Sequence, residues 1–293
     1  MKKMRDYIII TDSCADLDPG MIKKLRIEVI PMTFILDGES YKNWPDGREM
    51  DFGEFYAQLR SGKMSSTSQL NTVEFLDYFR PFLEKEKDIL YIGFSSGLST
   101  TVESARAAAE ELADAYPDCS IAVVDSLAAS LGEGLMVSYA AQLKKQGREL
   151  NETVEWLEKH RLCFAHWFTV DDLNFLRRGG RLSGTVALLG TMLGIKPILH
   201  VDDEGHLISK EKARGRKASL DTLVDHIGKS ADDPKNQSIF ISHGDCLKDA
   251  EYVAQEVRRL FGTKEIYINH IGPVIGSHAG PGTVAVFFFA PKR

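Results

Sequence analysis

Short, continuous apolar runs alternate with longer stretches of helical period through the first half of the chain. Tyr7-Ile-Ile-Ile-Thr11, Ile89-Leu-Tyr-Ile-Gly93 and Ser120-Ile-Ala-Val-Val-Asp125 lack the in-out alternation of a strand with one wet face. Such runs predict strands covered on both faces in a parallel sheet. Between and after them, residues 72–87 and 100–116 place apolar side chains at helical spacing, and 130–146 does so with alanines. The pattern is βαβ, so the loops that carry function are expected at the carboxyl ends of the strands.

A polar helical stretch over 147–162 ends this pattern. After it come an aromatic segment, 164–175, and an apolar, glycine-spaced segment, 186–195, closed by Pro197. Strands at 198–201 and 206–209 flank Asp202-Asp-Glu-Gly205, a hairpin by its turn residues. Helices over 220–229 and 248–261 and strands over 238–242, 265–270 and 284–290 complete the chain. The fold class predicted is α/β: a parallel-sheet domain over 1–162 and an α+β domain over 163–293.

Composition narrows the function classes. The 293 residues exceed one ordinary domain of roughly 100–200 residues, in keeping with two. Thirty-six Lys+Arg against 42 Asp+Glu leave a charge of −6, which excludes a broad nucleic-acid-binding surface. The apolar runs 89–94 and 284–290 are far short of the roughly 20 residues of a membrane span, so at most transient membrane contact is expected. Lys2, Lys3 and Arg5 precede too short an apolar run for a signal peptide, and a cytoplasmic protein is expected. Cys14, Cys119, Cys163 and Cys246 have neither disulfide-framework nor zinc spacing and read as reduced thiols, so no metal is expected.

Candidate chemistry concentrates in a few segments. Gly93-Phe-Ser95-Ser96-Gly97-Leu-Ser99-Thr100-Thr101 joins a predicted strand to a predicted helix, where orphan N–H groups and hydroxyls suit a carboxylate or phosphate. The same residues fit the G-x-S-x-G nucleophile elbow, with Asp245 and either His270 or His278 available as partners for Ser95. A serine hydrolase therefore stays open as the alternative, and a phosphosugar or nucleotide binder as a third, weaker reading. Ser65-Ser-Thr67-Ser-Gln69 is a second hydroxyl cluster, expected in a loop before a helix. Asp12-Ser13 and Asp125-Ser126 end strands and read as loop caps. Arg177, Arg178 and Arg181 surround Gly179-Gly180, where a backbone can be approached closely. Lys210, Lys212, Arg214, Arg216 and Lys217 form a basic run that reads as a docking face for an anionic partner. Gly272-Pro-Val-Ile-Gly276-Ser-His278-Ala-Gly280-Pro-Gly282 reads as a rigid loop that holds His278 beside a ligand.

Taken in order, these segments resemble the DegV family of bacterial lipid-binding proteins. The matching pieces are Thr11-Asp12-Ser13, Thr67-Ser68-Gln69, Ser95-Ser96-Gly97-Leu98-Ser99, Val124-Asp125-Ser126 and Arg178-Gly179-Gly180-Arg181-Leu-Ser-Gly184. Gly194-Ile-Lys-Pro197, the basic run and the Gly272 to Gly282 segment complete them. The resemblance spans nearly the whole chain and implies a non-catalytic protein that buries a long-chain fatty acid, with no cofactor. It implies that Thr67 and Ser96, with Ser95 and Gly97 in the same turn, hold the carboxylate. It further implies that a separate fatty acid kinase phosphorylates this carboxylate, with His278, Arg214 and Arg181 in phosphate transfer or docking. The chain departs from the family pattern at Leu70 and at Thr100-Thr101. The 186–195 segment is expected to line the acyl tunnel.

Overall fold

The computed structural model describes residues 5–182 and 194–293. The chain opens with β1 (Tyr7–Asp12), helix α1 (Pro19–Leu25) and β2 (Glu28–Ile30), then turns through β3 (Thr33–Leu36) and β4 (Glu39–Lys42). Helix α2 (Phe52–Arg60) leads to β5 (Ser65–Ser68), α3 (Thr72–Leu83), β6 (Asp88–Gly93), α4 (Thr101–Ala115) and β7 (Ile121–Asp125). The continuous apolar strands form a four-stranded parallel sheet in the order β2-β1-β6-β7, with Ile9 opposite Leu90 and Leu90 opposite Ala122. Strands β4, β3 and β5 make a small antiparallel sheet beside it. Helix starts follow local chemistry. Asp18, Asp51 and Asn71 each accept a first-turn amide, and Asn71 with Glu74 closes a capping box.

Helices α5 (Leu131–Lys145) and α6 (Leu150–His160) connect to the second domain. There β8 (Phe164–Thr169), helix α7 (Asn174–Arg178), β9 (Ile195–Val201), β10 (Leu207–Arg214) and α8 (Arg216–Ser230) come first. They are followed by β11 (Ser238–His243), α9 (Leu247–Phe261), β12 (Glu265–His270), α10 (Pro273–Ala279) and β13 (Val284–Phe289). The six strands form one mixed sheet in the order β10-β9-β8-β13-β11-β12, in which only β11 and β12 run parallel.

Helices α8 and α9 cover one face of this sheet, burying Leu223, Val253 and Val257 with Ile239, Ile241 and Val286. The other face meets the first domain: Phe168, Leu199, Phe240 and Phe287 belong to the same core as Ile9, Tyr91 and Leu135. Helix α5 lies between the two sheets, and its buried residues run all round the helix, as a helix enclosed by protein requires. The two domains thus have separate sheets but share one core. At the interface Arg293 donates to the carbonyls of Phe164, Leu127, Asp202 and Arg161.

Several expectations change. The Ser65 to Ser68 cluster is a strand, not a loop, because β3 supplies its backbone partners. The segment expected as a rigid loop contains α10, with Pro273 in the first turn and Gly280 closing the helix at φ 78°. The basic run is split. Arg216 is spent on Asp249 (2.7 Å) and Asp171 (3.5 Å) and Lys217 on Asp221 (2.8 Å), while Lys210, Lys212 and Arg214 are exposed on β10. Most of the expected tunnel-lining segment, 186–193, lies outside the described residues.

Candidate ligand-binding cavity

Between the two sheets lies a cavity of about 360 Å³, within the roughly 300–1,000 Å³ typical of small-molecule sites. Its walls are mostly apolar. Met32, Phe94 and Leu98 come from the first domain, Phe168, Val201 and Phe287 from the second sheet, and Val274 and Ile275 from α10. Polar groups gather where Thr67, Ser68 and Gln69 meet Ser99, Arg181 and His278. Ser68 and Gln69 are exposed, so this is the end open to solvent.

Thr67 and His278 are neighbours despite lying 211 positions apart in the chain. The Thr67 hydroxyl lies 2.8 Å from His278 Nε2. The pairing of β5 with β3 and the docking of α10 on β5 bring them together, and a second tie, Ser65 Oγ to Ser277 Oγ at 2.6 Å, sets the register. Burial pushes the His278 imidazole down to about 4, and the Arg181 charge acts in the same direction. The ring is therefore neutral near pH 7. His278 Nδ1 is buried without a hydrogen-bond partner among the described residues. It faces Gly179, where a Cβ would stand 2.2 Å from it. The close approach expected at Gly179-Gly180 is thus made by the protein's own histidine. Arg181 Nε donates to the Leu98 carbonyl at 3.2 Å, which keeps its guanidinium on the cavity wall.

The Ser95 to Thr101 loop divides its hydroxyls between structure and cavity. Ser95 is fully buried and donates to the Gly205 carbonyl across the domain interface (2.9 Å), while accepting from the Gly97 amide (3.1 Å). Gly97 itself packs on that turn, where a Cβ would meet the Glu204 carbonyl oxygen at 2.7 Å. Ser96 is exposed, with its amide donating to Asp125. Ser99 lines the cavity, and Thr100 bonds Gln69, tying the two hydroxyl loops together at the mouth. Thr67, His278 and Arg181 are therefore brought together, whereas Ser95, Ser96 and Gly97 stand behind or beside the cavity. Arg214, exposed at the end of β10, does not line it.

This geometry removes the hydrolase alternative. Among the described residues Ser95 has no histidine partner, its hydroxyl being committed to Gly205 and Gly97. Asp245 is ion-paired with Arg60, and His278 is engaged with Thr67.

Other polar groups at the cavity were not foreseen. His166, Ser130 and Ser242 line its buried side. Ser130 Oγ lies 2.5 Å from Asp16 Oδ2 and 3.0 Å from Ser242 Oγ. Burial raises the Asp16 carboxyl to about 7, against the opposing hydrogen bonds from Ser130 and the Gly272 amide. The one sequence signal was His166 itself, a polar residue among the apolar and aromatic residues 164–168 at the start of the 164–175 segment.

A family model described as "Uncharacterised protein, DegV family" matches residues 7–291. The chain belongs to the DegV family. Among curated DegV relatives, a DegV domain-containing protein of Clostridium perfringens is 45% identical, covering 99% of each chain. Among solved structures, a Thermus thermophilus DegV family protein described by its fatty acid binding superposes with a TM-score of 0.88. It is 32% identical and covers 97% of this chain and 99% of its own. DegV of Bacillus subtilis, described as a fatty acid binding protein, gives a TM-score of 0.86 at 28% identity, over 98% of this chain and all of that one. Both superpositions show the same fold over nearly the whole of this DegV chain, and among its described residues no helix is long and apolar enough to cross a membrane.

Proposed function

We propose that this protein binds one long-chain fatty acid in the interdomain cavity and presents its carboxylate to a separate ATP-dependent kinase, which forms the acyl phosphate. The observation that carries the reading is the division of the cavity into apolar walls and a solvent-open end where Thr67 meets a neutral His278. Each buried methylene contributes roughly 0.8 kcal/mol, so a long acyl chain gains on the order of 10 kcal/mol before the costs of association. Its carboxylate then needs donors. With Nδ1 packed on the Gly179 backbone, we place the histidine proton on Nε2, from which it is donated to Thr67 Oγ1. That leaves the Thr67 proton to bond a ligand oxygen. In this reading Arg181 supplies positive charge at the same end, and Ser96, on the loop that carries Ser99, adds a second hydroxyl at the rim. The fatty acid binding described for the Thermus and Bacillus relatives supports the ligand class.

The kinase role rests on the family resemblance and on a carboxylate end that opens to solvent. Exposed Lys210, Lys212 and Arg214 provide the docking charge. The four cysteines are free thiols, which fits a reducing cytoplasm.

Native mass spectrometry of the purified protein tests the ligand: a mass increment matching a fatty acid is expected. A protein that is empty and, once delipidated, also fails to take up palmitate overturns the reading. For the kinase role, Arg214→Ala should slow acyl-phosphate formation without changing palmitate affinity. A kinase that phosphorylates free palmitate equally well without this protein refutes the presenting role.

A further inference from the structure

The buried end of the cavity is not apolar. His166, on β8, is only 1% exposed and lines this end. Its Nδ1 lies 2.8 Å from the Phe164 carbonyl, a group that can only accept. The proton therefore sits on Nδ1, and Nε2 is left as an acceptor. That nitrogen is buried and has no hydrogen-bond partner among the described residues.

The surroundings explain why none of the described residues supplies a donor. Nε2 packs against Gly132 in the first turn of α5, where a Cβ would stand 2.1 Å from it. The nearby amides are spent within the turn: Gly132 on Ala129, Glu133 and Gly134 on Ser130. Phe287 meets the ring edge to face with centroids 5.3 Å apart, which holds the ring in place. Burial also lowers the proton affinity of His166, and the charges of Arg293 and His200 add to this, so the acceptor stays unprotonated.

A buried acceptor without a donor is unfavourable. An unsubstituted hydrocarbon tail cannot relieve it, and neither can a carbonyl or an ether. A hydroxyl can, because it donates. The same end carries Ser130 and Ser242, whose linked hydroxyls offer a second polar surface to such a group. The cavity thus has polar groups at its open end and again at its buried end, with apolar walls between.

Building on the fatty-acid reading, we propose that this buried end recognises a hydroxyl carried on the acyl chain, so that the ligand class includes long-chain hydroxy fatty acids. His166 Nε2 accepts the ligand hydroxyl proton, and the carboxylate remains at the Thr67 end.

The test uses the full chain after delipidation, with displacement of a fluorescent fatty acid by stearate and by a set of positional isomers of hydroxystearate. At least one isomer hydroxylated away from the carboxylate should bind at least fivefold tighter than stearate. His166→Phe should abolish that preference, read as the ratio of hydroxystearate to stearate affinity within the variant itself. If no isomer binds wild-type protein tighter than stearate, or if His166→Phe keeps the preference, the proposal is overturned while fatty acid binding stands. If stearate and every isomer fail to bind, the fatty-acid reading itself falls and the proposal with it. The wild-type comparison decides the matter without the variant should His166→Phe not fold. In folded wild-type protein, the ¹⁵N resonance of His166 Nε2 should move upfield with the preferred isomer and not with stearate.

Discussion

Replacing Gly179 by alanine tests whether the Thr67 to His278 pair orients the ligand carboxylate. Gly179 has φ −71°, a conformation alanine adopts without strain, so the effect of the substitution comes from contact alone. The added Cβ would stand 2.2 Å from His278 Nδ1, and the ring must retreat by about 1 Å to reach ordinary contact. A displacement of that size cannot preserve the present 2.8 Å approach of Nε2 to the Thr67 hydroxyl, which is set by the ring position. The off-rotamer ring and the lost neutral hydrogen bond together cost about 1 kcal/mol of stability, or about 2–4 °C in Tm for a chain of this size. Binding should suffer more. Hydrogen bonds to charged groups are worth about 1.5–3 kcal/mol, so a misdirected Thr67 hydroxyl should weaken palmitate binding about 10- to 100-fold. Displacement of a fluorescent fatty acid measures the change, alongside Thr67→Val and the double variant. The two substitutions remove the same interaction, so the double variant should be little worse than Thr67→Val alone. Wild-type affinity in Gly179→Ala, or strictly additive effects, would refute the reasoning.

Three further outcomes follow from the interface and the buried charges. Arg293→Ala removes donors to four carbonyls from both domains and should destabilise the protein by roughly 3 kcal/mol, read as a lower midpoint in urea denaturation; an unchanged midpoint would count against the clamp. Asp16, raised to about 7 in the fold, favours the folded state most below its ordinary value of 3.8 and loses that contribution as pH rises through 7. The stability of Asp16→Asn relative to wild type should therefore improve from pH 4 to pH 8, and a pH-independent difference would contradict the shift. Ser95 should resist fluorophosphonate labelling, and Ser95→Ala should lose about 1–3 kcal/mol through the orphaned Gly205 carbonyl. Labelling of Ser95 in folded protein would restore the hydrolase reading.

The sequence by itself determined the elements whose burial is local and uniform. Tyr7 to Thr11 and Ile89 to Gly93 are readable as inner parallel strands because both of their faces are covered, which leaves a continuous apolar run. The hairpin at Asp202 to Gly205 is readable because its turn residues bond their own backbone, with Asp202 accepting from Glu204 and His206. Neither argument reaches an element whose partner is distant. Ser65 to Ser68 has no apolar alternation and is a strand only because β3 supplies its hydrogen bonds. The Pro273 and Gly280 positions that open and close α10 were visible as helix punctuation, but their glycine and proline density resembled a loop.

The site was legible in part, and the division has the same cause. Thr67, His278 and Arg181 stood out as hydroxyl, histidine and cation in unusual local settings, and the fold brings them to one end of the cavity. Ser95, equally conspicuous, is instead consumed by the domain interface, because a hydroxyl beside a backbone carbonyl bonds to it whatever motif it spells. His166 looked like one polar residue in an apolar strand, and only the packing of Gly132 against it leaves its acceptor nitrogen without a donor. Local patterning thus determined which residue types were available. The tertiary structure decided which of their hydrogen bonds were already made and which remained for a ligand, because that depends on neighbours as far as 211 residues away along the chain.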